Sequence, residues 1–267
     1  MAHKESAIVK RAEQFGGVVE SYQQYRKPHP IDVFNGFFSL LEHRSGITVL
    51  DLACGSGKST EPLVRKGVSV VGCDPDLRML RKADDEAKRR HLSVAYALGR
   101  AERLPFQKVS FDAATIGSAF HWFAYEEATV EMKRVLKPGG LVYIFQYRYP
   151  TTEKEEDHNE EAPLLRCYGV EYPAPERTRT TPEFIKDLLE MSGFKNVRLR
   201  TIKKLRRYSV AERVGRIKTL SAYTLLSARN KKEVTTELTR ILERKWGGRK
   251  YRLIPQSIDV LYGYKSE

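Results

Sequence analysis

The chain has 267 residues, of which 41% are apolar, so an α/β domain with added elements has enough apolar surface for a sizeable core. No stretch reaches the roughly 18 apolar residues of a membrane helix, the first residues do not resemble a signal peptide, and the three cysteines lack paired spacing. These features predict a cytoplasmic protein that does not depend on disulfides, and six scattered histidines predict no metal site.

Strand-like and helical patterns alternate from about residue 47 to 147, which predicts a parallel sheet with helices on both faces. The runs predicted as strands are 47–51, 69–73, 93–97, 113–116 and 141–147. Helical patterns lie near 59–66, 77–90 and 126–136. Residues 137–140, Lys-Pro-Gly-Gly, predict a helix end and a turn into the next strand.

The pattern changes after residue 150. Residues 151–180 predict an insertion over one edge of the sheet. A helix over 182–191, a basic strand from 195, helical patterns over 210–226 and 231–246, and a last strand over 251–264 follow. We therefore expect a doubly wound, mostly parallel seven-stranded sheet with a small C-terminal helical cap. Its segments are an N-terminal helical part (1–46), an α/β core (47–150), a part with the insertion, sixth strand and cap (151–250), and a closing strand (251–267).

The most specific motif follows the first predicted strand. There Asp51 closes an apolar run, and a turn containing Gly55 and Gly57 follows at the carboxyl end of the strand, where nucleotide-like ligands dock in open α/β sheets. The two glycines would let the backbone pass close to a ligand. The next predicted strand ends in Asp74, about twenty residues further on, where a carboxylate can bind both hydroxyls of a ribose.

Three kinds of site are consistent with such a turn. A dinucleotide site requires a third glycine where Thr60 stands, and a phosphate loop requires a glycine where Leu52 stands. S-adenosylmethionine has a ribose and an amino-acid tail but no phosphate, so it needs only the glycine turn and the ribose acid. An ordinary tight turn would explain the glycines alone, and a solvated carboxylate would explain Asp74 alone. The ordered pair therefore favours S-adenosylmethionine.

Six motifs in order resemble those of class I S-adenosylmethionine-dependent methyltransferases, and more narrowly the type 11 group of small-molecule methyltransferases. The resemblance covers about residues 22–194. Its motifs are Leu50-Asp51-Leu52-Ala53-Cys54-Gly55-Ser56-Gly57, Gly72-Cys73-Asp74-Pro75, Ala101-Glu102-Arg103-Leu104-Pro105-Phe106, Phe111-Asp112-Ala113-Ala114, His121-Trp122-Phe123 and Arg134-Val135-Leu136-Lys137-Pro138-Gly139-Gly140. The His-Trp-Phe element, with Tyr22, Tyr25 and Arg26, is similar to the branch of trans-aconitate methyltransferases and relatives of toxoflavin methyltransferases. The resemblance implies a Rossmann-like methyltransferase fold.

The motif chemistry and the resemblance together assign a cofactor site. Asp51 suits the ammonium of the methionine end, and backbone N–H groups of the glycine turn suit its carboxylate. The resemblance implies that the N-terminal segment lies over the cofactor, with Arg26 near its carboxylate, and that the Ala101-Glu102 loop holds the adenine edge. The expected cofactor-binding residues are Tyr22, Arg26, Asp51, Ala53, Gly55, Gly57, Asp74, Pro75, Met79, Ala101, Glu102, Ser118, His121 and Trp122.

Departures from the family pattern leave some of these roles open. Arg100 stands where similar enzymes have an acid or a serine, so Glu102 or the backbone must meet the adenine amino group. Met79 fits an adenine sandwich or a core helix face equally well. His121 is expected either as a general base or as a packing residue that lines the cofactor, since Ala124 replaces the aspartate that would orient it.

Aromatic residues alternate along the fifth predicted strand and would share one face of the sheet. We expect Tyr143 and Phe145 to pack in the core. Tyr147 lies nearer the end of the strand that approaches the site, and it is the expected substrate contact.

Residues 195–218 hold ten basic side chains and one acid, and the whole chain has a formal net charge of +13. Nucleic acid, an anionic small substrate, or a solvated charged face would each explain this stretch. The first hypothesis is a methyltransferase for a small molecule, with an anionic or carboxylate acceptor. The alternatives are an RNA- or tRNA-modifying methyltransferase, although no RNA-binding module is visible, and a cofactor-binding protein without catalysis. No membrane partner is expected, and the sequence fixes neither the acceptor nor the oligomeric state.

Overall fold

The computed structural model describes residues 18–41, 46–148, 160–170 and 180–267. Its strands are β1 (Thr48–Leu52), β2 (Ser69–Asp74), β3 (Ala95–Leu98), β4 (Phe111–Gly117), β5 (Leu136–Tyr147), β6 (Phe194–Tyr208) and β7 (Arg252–Lys265). They form one sheet in the order β3-β2-β1-β4-β5-β7-β6. The first five strands pair in parallel, whereas β7 runs antiparallel to both β5 and β6. The predicted fold class is confirmed.

The described helices are α1 (Val19–Tyr25), α2 (Ile31–Ser39), α3 (Thr60–Val64), α4 (Leu77–Arg89), α5 (Tyr125–Val135), α6 (Glu161–Cys167), α7 (Pro182–Met191), α8 (Val210–Ile217), α9 (Ser221–Thr224) and α10 (Ala228–Trp246). Local sequence fixes several of their ends. The side chains of Asp76, Thr181 and Ser227 cap the starts of α4, α7 and α10 by accepting backbone N–H bonds. Gly247 ends α10 in the left-handed conformation that glycine adopts without strain. Within the described ranges, no helix is both long and apolar enough to span a membrane.

Alternating side chains of the sheet build two apolar layers. Leu50, Val142 and Ile144 belong to the layer that α5 and α7 cover. Tyr143 and Phe145 point the other way, into the layer that α2 covers. Both are almost fully buried, as predicted for core packing.

A third apolar cluster forms the cap from α6, α8 and α10, and Tyr208 and Ile254 extend it onto the ends of β6 and β7. The ring of Tyr25 lies directly on Gly215 of α8, where any Cβ would collide with it. The cap thereby holds helix α1 in place through the contact of Tyr25 with Gly215.

Two sequence predictions are wrong in detail. Residues 137–140 form a bulge inside β5 rather than a turn before it, because β5 begins at Leu136, directly after α5. Between the Phe111–Leu136 and Ala113–Leu141 pairings, four residues of β5 lie opposite a single residue of β4. The predicted helix over 210–226 is two helices, because the chain leaves helical geometry at Leu220.

The remaining predicted elements lie within a few residues of their expected bounds. The core segment contributes β1 to β5 to the sheet, the third segment contributes β6, and the last contributes β7. The division of the chain into domains stays a prediction. Parts of the predicted N-terminal segment (1–17 and 42–45) and of the insertion (151–159 and 171–179) lie outside the described residues.

The cap contains a buried ion cluster whose removal should be costly. Glu161, 1% exposed, accepts from Arg213 at 2.6 Å and from Arg216 at 2.6 Å. The change Glu161→Ala removes this short ion pair from the buried Arg213, whose contact with Glu160 is longer, at 3.3 Å. We expect it to lower the free energy of unfolding by about 3 kcal/mol in urea denaturation.

The control is Glu190→Ala, which removes an exposed pair with Lys186. Such pairs contribute about 0–1 kcal/mol, so its unfolding curve should nearly overlay that of the wild type. Equal losses in the two variants would contradict the assignment of Glu161 as a buried structural charge.

Candidate functional site

The glycine turn and the acid that closes β2 are in direct contact. The backbone N–H of Gly55 donates to Asp74 Oδ2 at 2.8 Å, and the N–H of Asp76 donates to Oδ1 at 2.9 Å. The turn requires left-handed backbone at Ala53 (φ 55°), Gly55 (φ 53°) and Gly57 (φ 80°). A Cβ added to Gly55 would meet no atom within 4 Å, so this side of the turn has room for a ligand.

Asp51 lies beneath the turn and is fully buried. Its Oδ2 accepts from the hydroxyls of Ser59 at 2.8 Å and Thr60 at 2.6 Å, and its Oδ1 accepts from Thr115 at 3.1 Å. These bonds tie the start of α3 to β1 and β4. Asp51 therefore supports the turn, and its predicted contact with the cofactor ammonium stays a prediction.

Both carboxyl groups titrate well above their ordinary range. Burial raises the pKa of Asp51 to about 6, against the lowering effect of its three hydroxyl donors. Burial likewise raises the pKa of Asp74 to about 6, and the carboxylates of Asp76 and Asp51 add to the shift against two backbone N–H bonds. Both are mainly ionised at neutral pH.

The residues expected around the adenine lie beyond Asp74. Pro75 is half-buried, and Met79 is 3% exposed on the inner face of α4. Ala101 is buried in the apolar layer under α5. Glu102 Oε1 accepts from the backbone N–H of Ala124 at 2.9 Å, so part of this carboxylate holds the chain just before α5.

Ser118 follows β4 in a left-handed conformation (φ 56°), which is uncommon for a residue with a side chain. Its N–H donates to the carbonyl of Phe145 at 2.8 Å. Its Oγ is buried and makes no hydrogen bond within the described part of the chain. A strained residue with an unsatisfied hydroxyl is typical of a ligand-binding position.

His121 and Trp122 lie in a 3₁₀ turn, Phe120–Trp122, with their ring centroids 4.7 Å apart. His121 is 2% exposed, and Trp122 packs on the apolar layer under α5. The almost complete burial of the His121 side chain favours a packing role over a catalytic one. Its role as a general base stays a prediction.

One cleft joins several predicted residues from distant parts of the chain. It encloses about 470 Å³, including its open mouth, and Tyr22, Arg26, Ser118 and Tyr147 line it. Described residues that the sequence analysis did not assign to a site also line it: Tyr25, Lys27, His29, Lys58, Arg206, Tyr208, Arg216 and Gln256. His121 is not among the described residues of this lining.

Charge in the cleft is only partly compensated. Lys27 and Arg216 have carboxylate partners, at 2.8 and 2.6 Å. Within the described ranges, Arg26, Lys58 and Arg206 form no ion pair. Their hydrogen bonds go to neutral oxygens, those of the Thr219 hydroxyl and the Gln23 and Pro28 carbonyls. Three such cations make the cleft attractive to anions.

His29 and Tyr147 form a pair on the wall of this cleft. Their rings stack with centroids 5.8 Å apart, and His29 Nδ1 lies 3.3 Å from the Tyr147 hydroxyl. Burial, together with the charges of Arg206, Arg26 and Lys58, lowers the pKa of His29 to about 3. Burial raises the pKa of Tyr147 to about 12, so both side chains are neutral at pH 7.

Comparisons with known proteins bear on this geometry. A family model described as a methyltransferase domain matches residues 50–144, which span the glycine turn, Asp74 and Ser118. Residues 50–144 carry a methyltransferase domain, and the cofactor of this domain is S-adenosylmethionine.

The methyltransferase domain has relatives of several kinds. A candidate methyltransferase from Dictyostelium discoideum is 25% identical over 232 residues, which cover 86% of this chain and 85% of that protein. A demethylmenaquinone methyltransferase from Paenarthrobacter aurescens is 40% identical over 133 residues, 49% of this chain and 47% of that protein. The chain thus matches about half the length of this and several other curated relatives.

A solved structure shares the fold. It is phosphoethanolamine N-methyltransferase 2 from Haemonchus contortus, in complex with phosphomonomethylethanolamine and S-adenosylhomocysteine. The two superpose with a TM-score of 0.60 at 16% identity, over 97% of this chain and 59% of that one.

The described residues fit the cofactor. Asp74 offers a carboxylate beside an open glycine turn, and Ser118 offers a buried, unsatisfied hydroxyl. Asp74 would hold the ribose, and Arg26 would hold the methionine carboxylate. Among the described residues, no group of three or more metal-ligating side chains occurs.

The binding of S-adenosylhomocysteine should weaken as the pH falls through about 6. Protonation of Asp74 removes its negative charge and part of its capacity to accept from ribose hydroxyls, so the ionised form above the raised pKa binds best. Isothermal titration should give a Kd about 10-fold higher at pH 5 than at pH 7.5.

The variant Asp74→Asn should bind weakly at pH 7.5 and show a shallower pH dependence, the remainder coming from Asp51, which titrates in the same range. The exposed Asp85 on α4 provides the control, and Asp85→Asn should behave as wild type. Wild-type affinity in Asp74→Asn would refute the ribose assignment.

Proposed function

We propose that this protein transfers a methyl group from S-adenosylmethionine to a small anionic acceptor that binds in the cleft. The observation that carries the proposal is the cleft itself. It brings Arg26 and Ser118, expected at the cofactor, together with Arg206 and Tyr147. Some relatives are named for small-molecule substrates, namely demethylmenaquinone and phosphoethanolamine.

The three cations without acidic partners divide by position. Lys58 follows the glycine turn directly, and Arg26 ends α1 with its guanidinium over the Tyr22 ring. Both suit the carboxylate of the methionine end. Arg206 comes from β6, remote in sequence from the glycine turn, and its charge acts on His29 and Tyr147. Arg206 therefore suits an anionic group of the acceptor.

S-adenosylmethionine supplies, when bound, a methyl group already activated by the sulfonium charge. The chain contributes alignment of the acceptor and exclusion of water, which are large effects in such a displacement. His29 is a weak proton acceptor because its pKa is low. This favours an acceptor group that is ionised before it reacts, such as a carboxylate, which needs no base.

The basic stretch of β6 and α8 supports this choice over nucleic acid. Arg200 contacts the Tyr143 hydroxyl, Lys204 pairs with Asp32, and Arg213 pairs with the acids of α6. These charges are used within the chain, and no described feature specifically favours an RNA partner. We also propose the narrower relationship to the trans-aconitate and toxoflavin branch, on the His121-Trp122-Phe123 motif and the N-terminal Tyr22 and Arg26.

Arg206→Gln should separate acceptor binding from cofactor binding. A screen of fractionated metabolite extract with S-adenosylmethionine labelled in its methyl group would identify the acceptor. For that acceptor, we expect KM to rise at least about 10-fold in the variant, because a charge-assisted bond is lost. Its affinity for S-adenosylhomocysteine should stay within twofold of the wild type.

The neighbouring Arg207 is exposed, rests on the Tyr251 ring and does not line the cleft, so Arg207→Gln is the matched control. An unchanged KM in Arg206→Gln would contradict the assigned acceptor position. A protein that binds S-adenosylhomocysteine but labels no compound in any fraction would contradict the proposed function.

A further inference from the structure

The part of the cleft wall formed by β6 and β7 holds a hydrogen-bonding pair that the proposed cofactor site does not use. Gln256 Nε2 donates to the Tyr208 hydroxyl at 3.3 Å. The Gln256 Oε1 atom is buried and has no hydrogen-bond partner within the described part of the chain. A buried carbonyl oxygen without a donor is costly, so such an atom marks a place where a ligand donates a hydrogen bond.

Strand pairing places this amide beside the acceptor cation. In the antiparallel pair of β6 and β7, Lys204 lies opposite Gln256 and Arg206 lies opposite Ile254. Residues two apart on a strand share a face, so Arg206 and Gln256 are diagonal neighbours on the same face. The face that presents a positive charge to the cleft therefore also presents a hydrogen-bond acceptor.

Much of the remaining cleft wall is aromatic. Tyr147 and His29 stack on each other at one side, and Tyr22, Tyr25 and Tyr208 also line the cleft. A wall rich in neutral rings favours a flat, unsaturated ligand over a flexible chain.

We propose that the acceptor is a planar ring acid that also carries a hydroxyl group. Its carboxylate lies within reach of Arg206, its ring lies among the aromatic walls, and its hydroxyl donates to Gln256 Oε1. Gln256 is thereby the residue that distinguishes hydroxylated acids from their O-methylated or unsubstituted analogues. This inference rests on the proposed function, because it names the class of acceptor for the same cleft.

The test measures binding of matched probes in the presence of saturating S-adenosylhomocysteine. The probes are 4-hydroxybenzoate, 4-methoxybenzoate, which lacks the donor, and cyclohexanecarboxylate, which lacks the flat ring. For the wild type we expect 4-hydroxybenzoate to bind about 10-fold tighter than 4-methoxybenzoate. Cyclohexanecarboxylate should bind more weakly than either.

Gln256→Leu should bring the ratio of the two benzoate affinities close to one while leaving the affinity for 4-methoxybenzoate unchanged. Gln107→Leu, at an exposed position, controls for the added apolar side chain and should keep the wild-type ratio. Thermal unfolding of each variant checks that it is folded.

Equal binding of the two benzoates to the wild type, or a preference that survives in Gln256→Leu, would overturn the assigned role of Gln256. Equal binding of the flat and saturated acids would overturn the planar class. Titration of S-adenosylhomocysteine on the same samples distinguishes failure of this inference from failure of the proposed function. If it binds while the probe ratios fail, the inference falls and the proposed function stands, whereas failure of cofactor binding removes both.

Discussion

The hydrogen bond from the Gly55 N–H to Asp74 links the two strand ends at which we expect the cofactor to bind. It requires β1 and β2 to be parallel neighbours, so that both carboxyl ends lie at the same edge of the sheet. It also requires left-handed backbone in the turn, which Gly55 and Gly57 adopt without strain. The fold serves to bring a carboxylate and a row of backbone N–H groups to one point.

Below this contact, Asp51 has a structural task that the motif alone does not reveal. Three hydroxyl groups from β4 and from the start of α3 donate to its two oxygens. The turn is therefore fixed from beneath by a buried carboxylate. The charge of Asp51 adds to the effect of burial in raising the pKa of Asp74, since an ionised group disfavours the ionisation of its neighbour. The charge of a bound cationic cofactor would offset that repulsion.

The part of the cleft proposed to bind the acceptor has a different origin. Its residues come from the N-terminal segment, from the end of β5 and from the antiparallel pair of β6 and β7. The cap and the contact of Tyr25 with Gly215 hold these parts together. Variation in this region can change the acceptor while the glycine turn and Asp74 remain the same.

Sequence patterns were sufficient for the parallel core because its information is local. Each apolar run, turn glycine and capping residue lies within a few positions of the element it specifies, so Asp74 and the glycine turn could be placed together in advance. Tyr147 was also placed correctly at the end of its strand. Arg206 and Gln256 were not assigned, since they lie 50 residues apart and meet only through antiparallel pairing, which no local pattern encodes. Basic residues recur along β6, but Lys and Arg stand both at positions that face solvent and at positions that face the cleft. The sequence therefore does not distinguish Arg206 from its exposed neighbours.

The most direct measurement is a crystal structure of the protein soaked with S-adenosylhomocysteine. We expect density over the open side of the glycine turn, with both ribose hydroxyls on the Asp74 carboxylate and the amino-acid end toward Arg26. A ligand bound elsewhere, or a ribose that makes no contact with Asp74, would contradict the assignment of Asp74 and the glycine turn to the cofactor.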